Sequence, residues 1–435
     1  MSSSTSPVAS PRPVSPEQRA QARRAVVASS VGNALEWFDI IVYSSFAVVI
    51  SSLFFTPEGE DASISGLLLT FGTFALSYLI RPVGAMVLGS LGDRRGRKTA
   101  LTVTILIMMI GTLIMAVAPT TATIGALAPV VILLSRLLQG FSAGGEFGNA
   151  TAFLIENAPD RKAFYGSWQV ATQGAAILLA STFGFALNTL LSEDDLYSWG
   201  WRVPFFFGVL IGPVGLYIRR RMTETPEFEA GRSTRVKSPL RETLVHAAPH
   251  WLTAAGVVGL ASLSVYLILF MPTYAITNLG LPGYAGFVGG IVAGAVTLVG
   301  APFVGRLADR VGAVKVMTVA AVAGVVAIVP LFALLVAQPT VAVLTVVQTV
   351  LGALMALYFG PLPALLSAIF PTRIRTTGMS ISYSVGVTVF GGFAPLILAW
   401  LLDVTGTLMA PSYYYLAVAA VSLVSLVFAR RLLAR

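Results

Sequence analysis

The chain has 435 residues, of which 56% are hydrophobic and only 11% are charged; soluble domains carry about 25% charged residues, so the composition indicates an integral membrane protein. The sequence contains no Cys, which excludes disulfides, thiol nucleophiles and cysteinyl metal sites. Basic residues are in excess, with 28 Lys and Arg against 19 Asp and Glu, and their placement decides whether nucleic acid is a partner.

The first segment is polar. Residues 1–27 are rich in Ser and Pro and contain no apolar stretch. A signal peptide requires an apolar core of about 7–15 residues, so we expect instead a disordered cytoplasmic tail. The first apolar helix then stays in the chain.

Twelve apolar stretches follow, each long enough to cross a bilayer, which takes about 20 residues. They lie at about 28–54, 65–91, 99–118, 122–148, 164–191, 203–218, 250–277, 284–306, 314–337, 340–368, 377–402 and 412–429. The pattern predicts an all-α membrane protein with twelve transmembrane helices and both termini on the same side.

The basic residues orient these helices. Of the 28 Lys and Arg, 25 fall on the side of the two termini, Arg202 alone falls on the other side, and Arg81 and Arg136 fall inside spans. Positive residues concentrate on the cytoplasmic side, so we expect both termini in the cytoplasm and a multi-pass protein of the cell inner membrane. The basic residues are explained by topology, and no nucleic-acid partner is predicted.

The two sets of six spans repeat. "GSLGDRRGRK" (89–98) recurs as "GRLADRVGAVK" (305–315), and "PDRKAFYG" (159–166) recurs as "PTRIRTTG" (371–378). Such repeats are typical of secondary transporters with parallel halves. We therefore predict two pseudo-symmetric six-helix bundles, at 28–218 and 250–435, joined by a cytoplasmic linker at 219–249.

The loop motif "GSLGDRRGRK" (89–98) resembles the signature of the major facilitator superfamily. The resemblance implies the fold of that superfamily. The stretches "ALEWFDIIVY", "LIRPVGAMVLG", "RLLQGFSAGGEFG", "WGWRVPFF" and "FGGFAPLI" are together similar to the metabolite:proton symporter family. Members carry citrate, α-ketoglutarate, shikimate, proline or betaine. "SWQVATQ" (167–173) resembles the citrate-type members and "IRTTGMSISYSVG" resembles dicarboxylate carriers, which favours a di- or tricarboxylate.

Charged residues inside the membrane are costly and mark functional sites. At 1.5 Å per residue, Asp39 on the first span and Arg136 on the fourth reach compatible depths, and Glu36 lies level with Arg81 on the second span. Asp39 and Arg136 form either a proton switch, in which protonation of Asp39 frees Arg136 for an anionic substrate, or a permanent ion pair. The resemblance favours the switch, because sugar–proton symporters of the superfamily carry a similar pair.

Uncharged polar residues complete the predicted site. Gln169 and Gln173 share one face of the fifth span and are predicted to line the cavity or to join helices, and Tyr358 and Tyr383 are candidate hydroxyl donors. The resemblance also implies a cytoplasmic gate, whose candidates are Gly89, Asp93, Arg94, Gly96, Arg97, Glu146, Glu156, Arg161, Asp309 and Arg310.

These observations predict a proton-coupled symporter that imports a small organic acid by alternating access. Shikimate-like or zwitterionic osmolyte substrates, an uncoupled facilitator or exchanger, and a non-transporting sensor remain alternatives. No nucleophile–base set, phosphate loop or metal-ligand spacing is present, so neither enzymatic activity nor a cofactor or metal is predicted. The predicted partners are the substrate anion, protons and the lipid bilayer, and the predicted state is a monomer.

Overall fold

The structure is a computed structural model that describes residues 33–34, 36–56, 64–95, 97–144, 147, 151, 154–155, 161–220, 241–371 and 374–434. The predicted tail at 1–27 and most of the predicted linker at 219–249 lie outside these residues. Apart from turns and short connections, the described chain is helical.

The helices follow one another through short connections. They are α1 (Glu36–Ser45) and α2 (Ala47–Phe54), α3 (Ile64–Leu79), α4 (Arg81–Arg95), α5 (Arg97–Val117), α6 (Thr121–Ile124), α7 (Ala128–Ala143), α8 (Lys162–Leu190), α9 (Glu193–Ser198), α10 (Val203–Arg220), α11 (Ala248–Thr277), α12 (Ala285–Val311), α13 (Ala313–Ala337), α14 (Val341–Phe359), α15 (Leu362–Ile369), α16 (Arg375–Val387), α17 (Ala394–Thr405) and α18 (Ala410–Leu433).

The predicted all-α membrane architecture is confirmed. Within the described residues, ten helical segments are long and apolar enough to cross a membrane, and the bent pair of α1 and α2 makes an eleventh. The shorter apolar stretch Thr102–Val117 within α5 lies where the predicted third span does. The predicted boundaries between the two bundles and the linker stay a prediction.

Several predicted spans are not single straight helices. The first bends by 68° between α1 and α2, directly after the pair Ser44–Ser45, a sequence type found at helix kinks. The tenth is interrupted between α14 and α15 by Pro361, which has no backbone N–H to continue the helix. The eleventh contains a π-helical turn, Thr388–Gly392.

The two halves of the chain meet most extensively along α8 and α12. A Cβ placed on Gly294 would lie only 2.5 Å from the Leu178 backbone nitrogen, and a Cβ on Gly174 would lie 2.5 Å from that of Leu298. Glycine therefore lets the two helix backbones touch. We call this contact, formed around Gly174 and Gly294, the glycine seam.

Arg202, the one basic residue on the non-cytoplasmic side of the predicted topology, stabilises the fold. Its Nη1 donates hydrogen bonds to the carbonyls of Ala116 (3.0 Å) and Ala118 (2.8 Å) at the end of α5. Its guanidinium also lies 4.4 Å from the ring centre of buried Trp201. A cation at a helix C-terminus satisfies carbonyls that have no partner within the helix.

We expect Arg202→Ala to destabilise the protein, because hydrogen bonds to charged groups contribute about 1.5–3 kcal/mol. The purified variant should unfold several degrees below the wild type in a thermal melt in detergent. Arg202→Lys keeps the charge without the planar fork and should fall between the two. A melting temperature for Arg202→Ala equal to that of the wild type would contradict this role.

Candidate functional site

The four charges predicted to pair by depth do form two ion pairs. Arg136 Nη1 lies 3.6 Å from Asp39 Oδ2, and Arg81 Nη2 lies 3.8 Å from Glu36 Oε1. All four side chains are buried. Both acids are on α1, and the arginines come from α7 and α4, so three helices of the first half bring the charges together. What these residues do stays a prediction.

The Asp39–Arg136 pair is enclosed by the first half. The Arg136 guanidinium lies 4.3 Å from the ring centre of Tyr43 and 5.3 Å from that of Phe74. Its Nη1 donates to Gln139 at 2.6 Å. The Asp39 carboxylate also lies beside the side chains of Thr112 and Gln139. Its contact with Arg136 is long for an ion pair, so a small movement can break it.

The Glu36–Arg81 pair faces the second half instead. Arg81 lies 4.0 Å from the ring centre of Tyr78, and the Tyr78 hydroxyl forms a hydrogen bond with the hydroxyl of Tyr266 on α11. Tyr383 on α16 is also close enough to act electrostatically on Arg81. Side chains of both halves therefore surround this pair.

A small cavity adjoins the Glu36–Arg81 pair. Its volume is about 20 Å³, and it is lined by Asn33, Glu36, Trp37, Arg81, Ala143, Gly144, Phe147, Ser380, Tyr383 and Ser384. A cavity that holds one water needs about 10–15 Å³. This cavity therefore has room for about one water and none for a carboxylic acid of several carbons. The halves must separate before such a molecule enters.

The two halves also contact each other near both ends of their helices. At the end predicted to face outside, the rings of Phe71 and Phe270 pack at 5.7 Å, as do those of Phe46 and Phe287. At the end predicted to face the cytoplasm, Asp309 at the end of α12 accepts hydrogen bonds from the backbone N–H groups of Ala163 (2.8 Å) and Phe164 (3.0 Å). We call the Asp309 contact the cytoplasmic latch, after its predicted side and because it ties the second half to the first turn of α8.

The remaining predicted gate residues are less defined. Gly96, Glu146 and Glu156 lie outside the described residues. Gly89, Asp93 and Arg94 lie on α4, and Arg97 begins α5. Arg161 directly precedes α8, and both it and Arg310, one residue after Asp309, are exposed.

The polar residues predicted to bind substrate fall into different environments. Gln169 is part of a helix-joining network, since its carboxamide oxygen accepts from Thr151 and its carbonyl accepts from Asn33. The side chains of Gln173 and Tyr383 are buried next to each other. The Tyr358 hydroxyl donates to the Val257 carbonyl inside the second half, and the structure does not bring it to the other site residues.

Reasoning from sequence missed the aromatic and polar neighbours of the charges. Tyr43 is four residues after Asp39, Tyr78 is three before Arg81 and Gln139 is three after Arg136. Residues three or four apart share a helix face, so this spacing was the available signal. Among the described residues, no group of three His, Cys, Asp or Glu could hold a metal ion.

Comparisons with known proteins identify the family of the chain. The family model "Sugar (and other) transporter" matches residues 25–244, and "Major Facilitator Superfamily" matches residues 286–435. The chain is 36% identical to a citrate-proton symporter of Salmonella typhi, covering 91% of each protein. It is 34% identical to a proline/betaine transporter of Escherichia coli K12, covering 93% of this chain and 82% of that protein.

The fold also matches a solved transporter. The structure of a proton:xylose symporter bound to 6-bromo-6-deoxy-D-glucose superposes with a TM-score of 0.77 at 16% identity, covering 96% of each chain. At this identity the likeness concerns the fold alone. The family models and the relatives of more than 30% identity carry the assignment. The chain belongs to the major facilitator superfamily, and within it to the metabolite:proton symporter family that its motifs predict.

Proposed function

We propose that the protein is a proton-coupled symporter that imports a small organic acid, most simply a di- or tricarboxylate, by alternating access. The observation that carries the proposal is the presence of two buried Arg–carboxylate pairs, one of which lines a cavity between the two halves. Intramembrane charges are expensive, and where they persist they commonly mark substrate or ion pathways. The citrate-proton symporter relative supports the substrate class.

We assign proton coupling to one ion pair and substrate binding to the other. Asp39 and Arg136 form the proton switch, since their contact is long and walled off from the second half by Tyr43 and Phe74. Arg136 was predicted to hold a substrate carboxylate as well. The geometry favours Arg81 for that role, because Arg81 lines the cavity while Arg136 does not.

Coupling to protons follows from electrostatics. An anion entering a negatively charged interior is opposed by about 2.3 kcal/mol per unit charge at 100 mV. Protons that travel with the anion cancel this opposition and add the pH gradient. The four intramembrane charges of the two pairs sum to zero, so a proton on Asp39 gives the site one net positive charge for an anion to balance.

Uptake by proteoliposomes tests the proposal. The purified protein should exchange one or more labelled acids from a panel of di- and tricarboxylates, and an imposed inward proton gradient should drive accumulation. Exchange that ignores pH would indicate a facilitator or exchanger instead. Exchange of no acid, together with specific binding, would indicate a sensor.

A second candidate substrate class is a zwitterionic osmolyte. The Glu36–Arg81 pair presents one charge of each sign beside the aromatic rings of Trp37, Tyr78 and Tyr383, and aromatic faces with a carboxylate suit a quaternary ammonium group. The proline/betaine relatives support this reading. Proline and glycine betaine therefore belong in the same panel, and exchange of these alone would replace the carboxylate proposal.

Lysine variants distinguish the proposed roles of Arg81 and Arg136. A lysine keeps the positive charge but not the two-pronged hydrogen bonding of a guanidinium. We expect Arg81→Lys to raise the half-saturation concentration for substrate at least about 10-fold, with proton-driven uptake still detectable at high substrate. Arg136→Lys should chiefly impair coupling. Normal half-saturation in Arg81→Lys, with loss in Arg136→Lys, would return substrate binding to Arg136.

We also propose that the protein is a monomer, since the site forms within one chain. We propose that it lies in the cell inner membrane with both termini in the cytoplasm, because its basic residues concentrate on the side of the termini. Tags at either terminus or within 225–245 should be shielded from an impermeant reagent outside the cell, whereas a tag within 58–63 should react. Labelling of the termini from outside would invert the proposed orientation.

A further inference from the structure

An apolar groove lies away from the ion pairs, between the start of α11 and the second half of α18. Its volume is about 620 Å³, and its walls include Leu252 and Thr253 of α11 and Ala420, Val421, Val424 and Phe428 of α18. Clefts that hold small molecules commonly have about 300–1,000 Å³. At the rise of an α-helix, the groove extends about 12 Å along α18. We call it the α11–α18 groove.

Small residues bring α11 and α18 together beside the groove. The Ser422 hydroxyl donates to the Gly256 carbonyl (2.7 Å) and accepts from the Leu260 backbone N–H (2.9 Å). The groove walls, in contrast, stay open, since Leu252 is 56% exposed and Phe428 is 49% exposed. No part of the described chain therefore covers the α11–α18 groove.

The walls suit a hydrocarbon chain rather than a polar molecule. Ser425 also lines the groove, but its hydroxyl donates to the Val421 carbonyl of its own helix (2.8 Å) and is thereby satisfied. Apolar surface is stable against apolar surroundings, and inside a bilayer the acyl chains of lipids provide them. An acyl chain is therefore the occupant that the walls select.

The groove is basic at the end where α18 finishes. Arg430 and Arg431 lie in the last turn of α18, and both are exposed. The Arg431 guanidinium lies 5.7 Å from the ring centre of Phe428 in the groove wall, which places a cation at the groove mouth. At the same end, Trp251 precedes the wall residue Leu252, and tryptophan is enriched at the level of lipid headgroups. Helix α18 itself contains no Asp or Glu to neutralise the arginines.

We propose that the α11–α18 groove binds one anionic phospholipid, with an acyl chain between the two helices and the phosphate on Arg430 and Arg431. Basic pockets between membrane helices bind anionic headgroups, and a guanidinium pairs with phosphate through two parallel hydrogen bonds. A second copy of the chain suits the groove less well. A two-fold axis along the membrane normal would bring the same helix ends together, so the arginines of the two copies would repel each other.

Native mass spectrometry of the purified protein tests this inference. Titration with dioleoyl-phosphatidylglycerol should give one bound lipid, with a dissociation constant at least about 10-fold lower than for dioleoyl-phosphatidylcholine, which has the same chains and no net charge. Glycerol phosphate, which has no acyl chain, should not displace the bound lipid. Equal affinity for the two lipids would overturn the inference. Dimers in place of lipid-bound monomers would assign the groove to a second copy and would also overturn it.

Variants locate the bound lipid. Val424→Trp fills the groove and should weaken phosphatidylglycerol binding at least about 10-fold. Val427→Trp is its matched control, because Val427 is 54% exposed against 56% for Val424 but is not part of the groove wall. Arg431→Gln should weaken phosphatidylglycerol about 5-fold, the share of one basic residue near anionic lipid, and leave phosphatidylcholine unchanged.

A second control removes a positive charge elsewhere. Lys315 is exposed in the first turn of α13, and Lys315→Gln should leave phosphatidylglycerol binding unchanged. Because Arg431 is itself exposed, Arg431→Gln should keep the fold even if the larger Val424→Trp does not. Equal losses in Val424→Trp and Val427→Trp, or undiminished phosphatidylglycerol binding in Arg431→Gln, would contradict the assignment.

Discussion

Asp39→Asn is expected to abolish accumulation of substrate against its gradient while leaving exchange across the membrane. Asparagine mimics the protonated carboxyl group, and it cannot release a proton on the cytoplasmic side. Accumulation requires a group that titrates in each cycle, whereas exchange does not. In proteoliposomes with an imposed inward proton gradient, the variant should reach no more than the equilibrium level of labelled substrate, and counterflow should persist.

Two further variants control this experiment. Asp403 is an exposed aspartate on α17, and Asp403→Asn should accumulate substrate normally. Glu36→Gln should be milder than Asp39→Asn, because Glu36 pairs with Arg81, which lines the cavity and is proposed to bind substrate. If Glu36→Gln abolishes accumulation and Asp39→Asn does not, the roles of the two carboxylates are the reverse of those proposed.

Gly294→Ala is expected to reduce uptake at least about 10-fold, although it adds a single methyl group. The new Cβ would lie 2.5 Å from the Leu178 backbone nitrogen, about 1 Å inside the optimal contact distance of ~3.5–4.0 Å. A backbone cannot move aside as a flexible side chain does, so α8 and α12 must separate along the glycine seam. Overpacking of this kind costs about 1–3 kcal/mol, and here the cost falls on the closed conformation.

The matched control is Gly72→Ala on α3, where an added Cβ meets nothing within 4 Å. It should transport as the wild type does. Because the chain contains no Cys, Ser384→Cys in the cavity wall gives a single labelling site for a thiol reagent. This site should react faster in the Gly294→Ala background if the halves have parted. Unchanged uptake and labelling would contradict this prediction, because the glycine seam would then accommodate the added methyl group without parting the halves.

The depth of each charge along its helix correctly predicted the two ion pairs. The few charges in apolar spans have few possible partners, and a rise of 1.5 Å per residue was enough to match Asp39 with Arg136 and Glu36 with Arg81. The helical architecture followed from hydropathy for the same reason, since only a helix of about 20 residues satisfies its own backbone across a bilayer.

What sequence could not provide was the lateral arrangement. Depth alone did not show that Arg136 is enclosed by Tyr43 and Phe74 while Arg81 faces the second half. Nor did it separate Gln169, whose amide oxygen accepts from Thr151, from Gln173, which lies next to Tyr383 of the second half. Both distinctions depend on how each helix is rotated about its axis, which tertiary packing decides.

The cytoplasmic latch has a consequence for the transport cycle. Its two hydrogen bonds lie at the end of the helices and are partly accessible to water, so when they break, water takes the place of each partner. A carboxylate that caps a helix N-terminus contributes about 0.5–2 kcal/mol in all, which shifts the balance of closed and open forms by roughly 2- to 30-fold. The latch can therefore favour the closed form and still break at low cost, whereas the same groups parted at the dry membrane centre would have no water to replace their partners.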